Sequence, residues 1–408
     1  MDDFAARDPA PRPVLRPRTS NCPACGSSEV EPFYRVKSIP LHSCILLESP
    51  EAAQAFPRRD LELAFCDDCG FAFNALFDAP SMAYSTNFEE SQHFSDTFNT
   101  FARDLVGEIS ETCEAAGKQV VEIGCGKGEF LVQLCELAGA CGIGIDPGYR
   151  ADPGRTSGAV TVRFIPELFG PAHFDLPSDI VICRHTLEHI PAVRSFLAAI
   201  RQMIGPRRDV QIVFETPDFA RVLQEGAFWD IYYEHCSYFS ADTHADLFRR
   251  EGFAVDEVKL VYGGQYIVQY ARPAAQPFGT IPADPGVVAE IRHLVQGFPA
   301  RVRQSQRAWR DRIEAANRSD RRVVLWGGSS KAVSLVTTLG LGAEIAAVVD
   351  INPYKQGKFL PGSGHAVIAP EALSAFDPGL VIVMNPLYRE EVSRRLTGLG
   401  ISAEVVAL

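Results

Sequence analysis

One stretch limits the folds open to this chain more than any other. It reads Val120-Val121-Glu122-Ile123-Gly124-Cys125-Gly126-Lys127-Gly128-Glu129-Phe130-Leu131. An apolar run enters three glycines at alternate positions and leaves as a helix-prone segment. A strand that turns through glycine into a helix N-terminus belongs to a parallel α/β sheet, where the backbone can close on a ligand. Glu122 stands just before the turn, and Asp146 ends the next apolar run, Ile143-Gly144-Ile145-Asp146. An acidic side chain about twenty positions after such a loop suits ribose hydroxyls. The residues alone leave a nicotinamide site, or a loop without a ligand, as rival readings.

The same rhythm extends on both sides of the loop. Gln119–Ile123, Gly142–Asp146, Asp179–Cys183 and Val210–Glu215 are short, rich in Val and Ile, and mostly separated by helix-prone segments. That alternation predicts a parallel sheet with helices on both faces. After a Pro- and Ala-rich stretch, Pro273 to Pro285, a polar segment from Val287 to Asn317 reads as helical, with a break expected at Gly297–Pro299. The rhythm then restarts with Arg322–Trp326, a helix through Leu339, Ala346–Asp350 and Leu380–Met384. The chain thus holds two nucleotide-type α/β units. In the second, Gly327-Gly328-Ser329-Ser330-Lys331 is a small-residue turn into a helix, whose amides and lysine suit a diphosphate. Asn352, Lys355 and Asn385 follow two further strand ends. A purely structural second unit is the rival here.

Cys22-Pro-Ala-Cys25-Gly and Cys66-Asp-Asp-Cys69-Gly are two knuckles separated by 40 residues. Four thiolates suit tetrahedral zinc, and a closed four-sulfur site leaves no position for substrate, so the metal is structural. Short β-like runs at Leu61–Phe65 and Phe71–Phe73 stand on either side of the second knuckle. The total of 11 cysteines is odd. With no apolar leader in the first residues, this points to a reducing cytoplasm rather than a disulfide framework. No apolar run approaches the ~18 residues of a membrane helix. Asp and Glu outnumber Lys and Arg by 51 to 39, and the resulting net charge of −12 opposes nucleic-acid binding through phosphate contacts.

Two further stretches carry candidate chemistry. The strand Asp179–Cys183 runs into Arg184-His185-Thr186-Leu187-Glu188-His189, and residues past strand C-termini face the ligand crevice of open α/β sheets. The second stretch is Trp229-Asp230-Ile231-Tyr232-Tyr233-Glu234-His235-Cys236-Ser237-Tyr238. There His235 can serve as a general base near neutrality, Tyr232 can donate to a developing oxyanion, and Glu234 can orient or charge a partner. An aromatic core helix followed by a strand is the plain alternative for this second stretch.

The run from Glu122 to Gly128 resembles the first motif of the class I S-adenosylmethionine-dependent methyltransferases, acidic-x-GxGxG. The order of cysteine module, glycine loop, Tyr232-Tyr233-Glu234-His235 and second α/β unit resembles the sugar C-methyltransferases of deoxysugar biosynthesis, over nearly the whole chain after the tail. The resemblance implies a Rossmann-like methyltransferase core, a small N-terminal zinc module and a second, C-terminal Rossmann-like α/β domain. The expected divisions are a disordered tail (1–20), zinc module (21–82), methyltransferase core (83–283), helical linker (284–320) and acceptor-binding domain (321–408).

It also implies S-adenosylmethionine as co-substrate, held by Glu122, Gly124, Gly126, Gly128, Asp146 and His185, with Phe164 and Ile165 beside adenine. His235 becomes the base that takes the C3 proton of a nucleotide-linked 4-keto sugar. Tyr232, Glu234, His189 and Tyr84 attend it, and Lys331, Asn352, Lys355 and Asn385 hold the acceptor. The expected partner is this small molecule alone, with no nucleic acid or membrane, for a monomer or weak homodimer. The sequence departs from the family at Gly263-Gly264-Gln265-Tyr266, where Gly-Gly-Ser and an arginine are usual; here no arginine comes before Arg272. That departure keeps O- or N-methylation of a sugar or another natural product as the alternative.

Overall fold

A computed structural model describes residues 21–82, 88–150, 161–275 and 282–408. The proposed tail and Tyr84 lie outside the described residues. Strands β1 (Val30–Pro40), β2 (Arg58–Cys66) and β3 (Ala72–Asn74) form an antiparallel sheet to which a distant segment, Ser237–Tyr238, adds the fourth strand. Ala72 pairs with Tyr238 and Phe73 with Ser237. The aromatic stretch expected near an active site therefore completes the sheet of the N-terminal module. It is irregular, with a single 3-10 turn at Phe228–Asp230, and not the core helix of the plain alternative.

Next come β4 (Gln119–Ile123), β5 (Cys141–Ile145), β6 (Val162–Ile165), β7 (Ile180–Arg184) and β8 (Gln211–Pro217). They are followed by β9, the Ser237–Tyr238 segment, then β10 (Phe253–Val261) and β11 (Tyr266–Pro273). The central sheet has the order β10-β11-β8-β7-β4-β5-β6, parallel from β8 to β6, with β11 antiparallel to its neighbours. Its inner strands are mostly apolar because helices cover both faces. One face meets Leu105, Ile109, Leu131 and Leu134, and the other Leu197, Ile200, Leu247 and Phe248. Glu122 is the exception in β4: a carboxyl in a run of buried side chains, which costs desolvation and signals a task. The strand order reverses direction at β4, so the crevice opens beyond the C-termini of β4, β5 and β7.

The third sheet, β12 (Arg322–Trp326), β13 (Ala347–Val349), β14 (Val367–Ile368), β15 (Pro378–Val383) and β16 (Glu404–Ala407), is wholly parallel in the order β14-β13-β12-β15-β16. The architecture is a Rossmann-like core, an N-terminal four-cysteine module and a C-terminal parallel α/β unit. Among the described residues no helix is long and apolar enough to cross a membrane.

The break expected at Gly297–Pro299 does not occur. Pro285–Arg318 is one helix with Pro299 inside it. Proline removes the donor that would reach the Val295 carbonyl. The Arg301 guanidinium lies back along the helix, donating to the Leu294 carbonyl and, at 2.7 Å, to that of Leu223. Gly297 makes room, since a Cβ there would stand 2.3 Å from Arg301 Nη1. Burial of Val288, Ile291, Val295, Phe298 and Val302 at helical spacing carries the helix across. Phe298 meets Tyr34 edge-on at 5.0 Å, so this helix, expected as a linker, packs on the N-terminal sheet. One apolar cluster joins Leu61, Phe228, Phe298 and Leu335, and thus all three units.

Candidate active site

The glycine turn is built as the sequence implies. Gly124, Gly126 and Gly128 have φ of 73°, 53° and 75°. A Cβ on Gly124 would sit 1.9 Å from Thr186 Oγ1, and one on Gly128 would sit 2.3 Å from the Phe164 ring. The amides of Gly126 and Gly148 donate to the two oxygens of Asp146 at 2.9 and 2.6 Å. Each carboxylate oxygen keeps a lone pair for a ligand hydroxyl. Glu122 lies below, 2% exposed, its pKa pushed up to about 8 by burial, with Oε2 lacking any hydrogen-bond partner.

A cavity of about 330 Å³ lies over this loop and is lined by Glu122, Gly124, Gly126, Asp146, His185 and Leu168, among others. Phe164 and Ile165 are not in its wall. Phe164 stacks on Tyr149 at 4.1 Å and packs against Gly128 and Gly144, so Leu168 and Phe169 take the wall positions expected of Phe164 and Ile165. Glu90, from the N-terminal side, also lines it; burial pushes its carboxyl up to about 7.

A second cavity of about 310 Å³ lies between the core and the C-terminal unit, with His235, Tyr232, Glu234, Lys331 and Asn385 in its wall. Both cavities share Phe88, Glu90, Ser91, Gln92, His185 and His189. Residues 88–92 and the loop after β7 thus form the partition between them.

His235 and His189 face each other perpendicularly at 4.8 Å, and Tyr232 meets His235 at the same distance. Burial, then the neighbouring His189, push His235 down to about 4, so it is neutral at pH 7. His189 Nδ1 lies 3.1 Å from the Glu234 carbonyl. A carbonyl only accepts, so Nδ1 carries a proton and donates it.

The Tyr232 hydroxyl donates to Asp230 Oδ1 at 2.9 Å, and Asp230 also binds Arg221 at 2.7 Å and Lys331 at 3.2 Å. Glu234 turns away from His235. It takes His42 Nδ1 at 2.9 Å, the Ser43 amide at 3.1 Å and the Ser43 hydroxyl. Ser43 Oγ in turn lies 2.8 Å from Ser330 Oγ, so Glu234 fastens the N-terminal module to the core beside the C-terminal unit.

His185 has a φ of 47°, a conformation side chains with a Cβ seldom adopt. Its ring lies between Glu188 Oε1 at 3.5 Å and Glu215 Oε1 at 3.4 Å. Burial opposes its charge, but the two carboxylates outweigh that and push it up to about 9. Glu215 is also bound by Arg184, which with His185 overrides burial and draws it down to about 2.

The C-terminal residues predicted for the acceptor all face the second cavity, and each has a protein partner. Lys331 reaches Asp230 and, at 3.4 Å, Gln265. Lys355 binds Asp350 at 3.5 Å and the Ser329 hydroxyl. Asn352 donates to Glu89 at 2.9 Å. Asn385 and Gln265 exchange two amide bonds of 3.0 Å each. Gln265, in the Gly-Gly-Gln departure, therefore spans core and C-terminal unit. Arg272 lies at the far end of β11, exposed and paired with Asp256 of β10. Sequence reasoning missed His42, Glu90, Glu188, Glu215 and Asp230; Glu188 and Asp230 stood inside quoted motifs, and Glu215 at the end of a named strand.

The four cysteines converge. Cys22 and Cys69 Sγ are 3.6 Å apart, Cys25 and Cys66 Sγ 3.5 Å, and all four lie within 4.8 Å of one another. A tetrahedral cation with metal–sulfur bonds near 2.3 Å needs sulfur–sulfur edges of roughly 3.8 Å, so the donor set fits one.

A methyltransferase-domain profile matches residues 93–258, and a C-methyltransferase C-terminal domain profile matches residues 289–402. C-methyltransferase NovU of Streptomyces niveus is 28% identical over 292 residues, 68% of either chain. The ubiquinone biosynthesis O-methyltransferase of Pseudomonas syringae pv. tomato is 32% identical over 117 residues, 27% of this chain and 49% of that enzyme. Among solved structures, the 1,6-didemethyltoxoflavin-N1-methyltransferase of Burkholderia thailandensis matches 51% of this chain and 97% of its own, with TM-score 0.33 and 17% identity. The loop that is shaped for a ligand falls in the first profile and the unit behind the second cavity in the other, and the chain is an S-adenosylmethionine-dependent methyltransferase carrying a C-methyltransferase C-terminal domain.

Proposed function

We propose that the chain methylates a carbon α to a ketone on a small oxygenated acceptor, with a nucleotide-linked 4-keto deoxysugar as the favoured class and His235 as general base. The observation that carries this reading is the partition. Two cavities of similar size meet at His185 and His189, one over the glycine loop and one faced by a neutral histidine. The donor fits the first cavity: Asp146 meets its ribose, the glycines admit its methionine portion, and the unpartnered Glu122 oxygen gains a partner. When bound, it supplies a methyl group already activated on a sulfonium.

His235 accepts the proton from the acceptor carbon, and the C–H electron pair passes into the carbonyl as an enolate. Tyr232, released from Asp230, donates to that oxygen and steadies it. The enolate carbon forms its bond to the methyl carbon as the methyl–sulfur bond breaks toward sulfur, and the proton leaves from His235 to solvent. Lys331, Asn352, Lys355 and Asn385 hold the remote part of the acceptor. Zinc in the four-cysteine site keeps the N-terminal module folded, and with it His42 and Ser43 on Glu234.

The test is product formation from S-adenosylmethionine and a panel of 4-keto nucleotide sugars in deuterated water. A new methyl group on carbon, together with exchange of the acceptor's α proton for deuterium when the methyl donor is withheld, supports the enolate route. O- or N-methylation, favoured by the local similarity to O-methyltransferases, gives a product that keeps its α proton, with no such exchange.

A further inference from the structure

The reaction as drawn leaves one buried carboxylate without a task. Glu188 is 2% exposed. Its carbonyl accepts the Cys236 amide at 2.8 Å, while His189 bonds the Glu234 carbonyl in the opposite sense. These two bonds stitch the turn after β7 to the segment holding His235, with Glu188 alongside it. One oxygen of Glu188 lies against His185; the other, Oε2, is buried and has no hydrogen-bond partner. A Glu188 oxygen and one ring nitrogen each of His189 and His235 lie within 4.8 Å of one another.

When His235 takes a proton it becomes a cation in a site whose burial disfavours charge. Glu234, its neighbour in sequence, already binds His42 and Ser43. We propose that Glu188 is a positioning residue whose carboxylate supplies the counter-charge to His235 during proton abstraction, a role that rests on His235 being the base. The charged and titratable groups that face His235 are Glu188, Glu234, His185 and His189, with the Tyr232 and Tyr238 rings against its imidazole. Burial opposes ionisation of Glu188, but the bond to His185, with His189 nearby, holds its carboxyl below the ordinary value, so it is charged before His235 takes the proton. His185, itself balanced by Glu215, keeps the carboxylate fixed.

Glu188→Gln and Glu188→Asp test this in the full chain with its zinc retained. Two readouts are used. One is histidine NMR, with His185 assigned by loss of its signal in His185→Asn. The Gln variant should lower the His185 midpoint from about 9 by about one unit or more, and Asp should recover part of that. The other is turnover with the acceptor found in the panel. Glu188→Gln should lower kcat by roughly 10- to 100-fold, shift the acid limb of the kcat profile to lower pH, and leave the KM for S-adenosylmethionine unchanged, because only the protonated base loses support. Partial rescue by Asp is expected. A folded Gln variant with wild-type kcat and acid limb, or an unmoved His185 midpoint, overturns the role. Failure of the base assignment would look different: His235→Gln would itself retain turnover.

Discussion

The two α/β units use the same turn and put it to different ends. In the core, β4 reads Gln-Val-Val-Glu-Ile before Gly124; in the C-terminal unit, β12 reads Arg-Val-Val-Leu-Trp before Gly327. In both, the aspartate after the next strand reaches back to a loop amide, Gly126 to Asp146 at 2.9 Å and Gly328 to Asp350 at 2.7 Å. Each aspartate also accepts the amide two residues on, that of Gly148 or Asn352. The resemblance ends at the neighbours. Glu122 lies under the first loop with an unpartnered oxygen, while Leu325 fills that register in the second. Asp350 is 7% exposed and held by Lys355. The turn alone does not decide what it holds. An unsatisfied buried oxygen such as that of Glu122 costs ~1–3 kcal/mol that a ligand can recover, whereas a ligand at the second loop has to exchange with protein partners already there.

On this comparison, substitutions on the two sides should separate cleanly. The largest effect is expected at the chemistry itself. His235→Gln should cut turnover by ~10²–10⁴-fold, the usual contribution of a positioned base, and leave donor affinity alone. Steady-state kinetics with parallel donor titration checks this, and turnover within threefold of wild type would remove His235 from the mechanism. Next, Cys66→Ser should release the metal. With the N-terminal module loosened, His42 and Ser43 no longer hold Glu234, and activity should fall with the metal content. Purified wild type without zinc would contradict the structural role.

Lys331→Ala is expected to act more mildly and only on the second cavity. It removes one of two cations from Asp230, so the acceptor KM should rise several-fold with kcat and donor binding little changed. An effect confined to the donor would reverse the division between the units.

The smallest effect concerns pH. His185 is raised to about 9, above the ordinary histidine value of 6.5. Its contribution to stability is therefore complete below about 6.5 and is lost as pH rises through about 9. Partial exposure limits it to about 1–2 kcal/mol. The Tm difference between wild type and His185→Asn should shrink from pH 6 to pH 10; a constant difference would mean the imidazolium is not paired as seen.

What the sequence disclosed follows from the range of the interactions. The glycine turn, Asp146 and the cysteine knuckles are local patterns, readable within a few residues or one strand–helix unit. β4 and β7 were legible because burial on both faces forces an unbroken apolar run. The two-residue strands β9 and β14 were not, since so short a segment carries no period. The contacts that set the site's electrostatics join residues far apart: His42 to Glu234 across 192 positions, and Gln265 to Asn385 across 120. Tyr232 and Glu234 were singled out as chemistry-bearing side chains, but which way each turns depended on Asp230 and His42, and no local spacing encodes that. The helix through Pro299 illustrates the same point for the backbone, since the burial of Phe298 and Val302 against distant elements carries it across what reads locally as a break.

The division between the two loops is tested most directly by equilibrium binding of S-adenosylmethionine to the wild type, Asp146→Ala and Asp350→Ala. One donor should bind per wild-type chain. Asp146→Ala should weaken it by ~1.5–3 kcal/mol, the range for a charged hydrogen bond, and Asp350→Ala should leave affinity and stoichiometry unchanged. Unaltered affinity in Asp146→Ala, or loss of binding in a folded Asp350→Ala, would contradict the account.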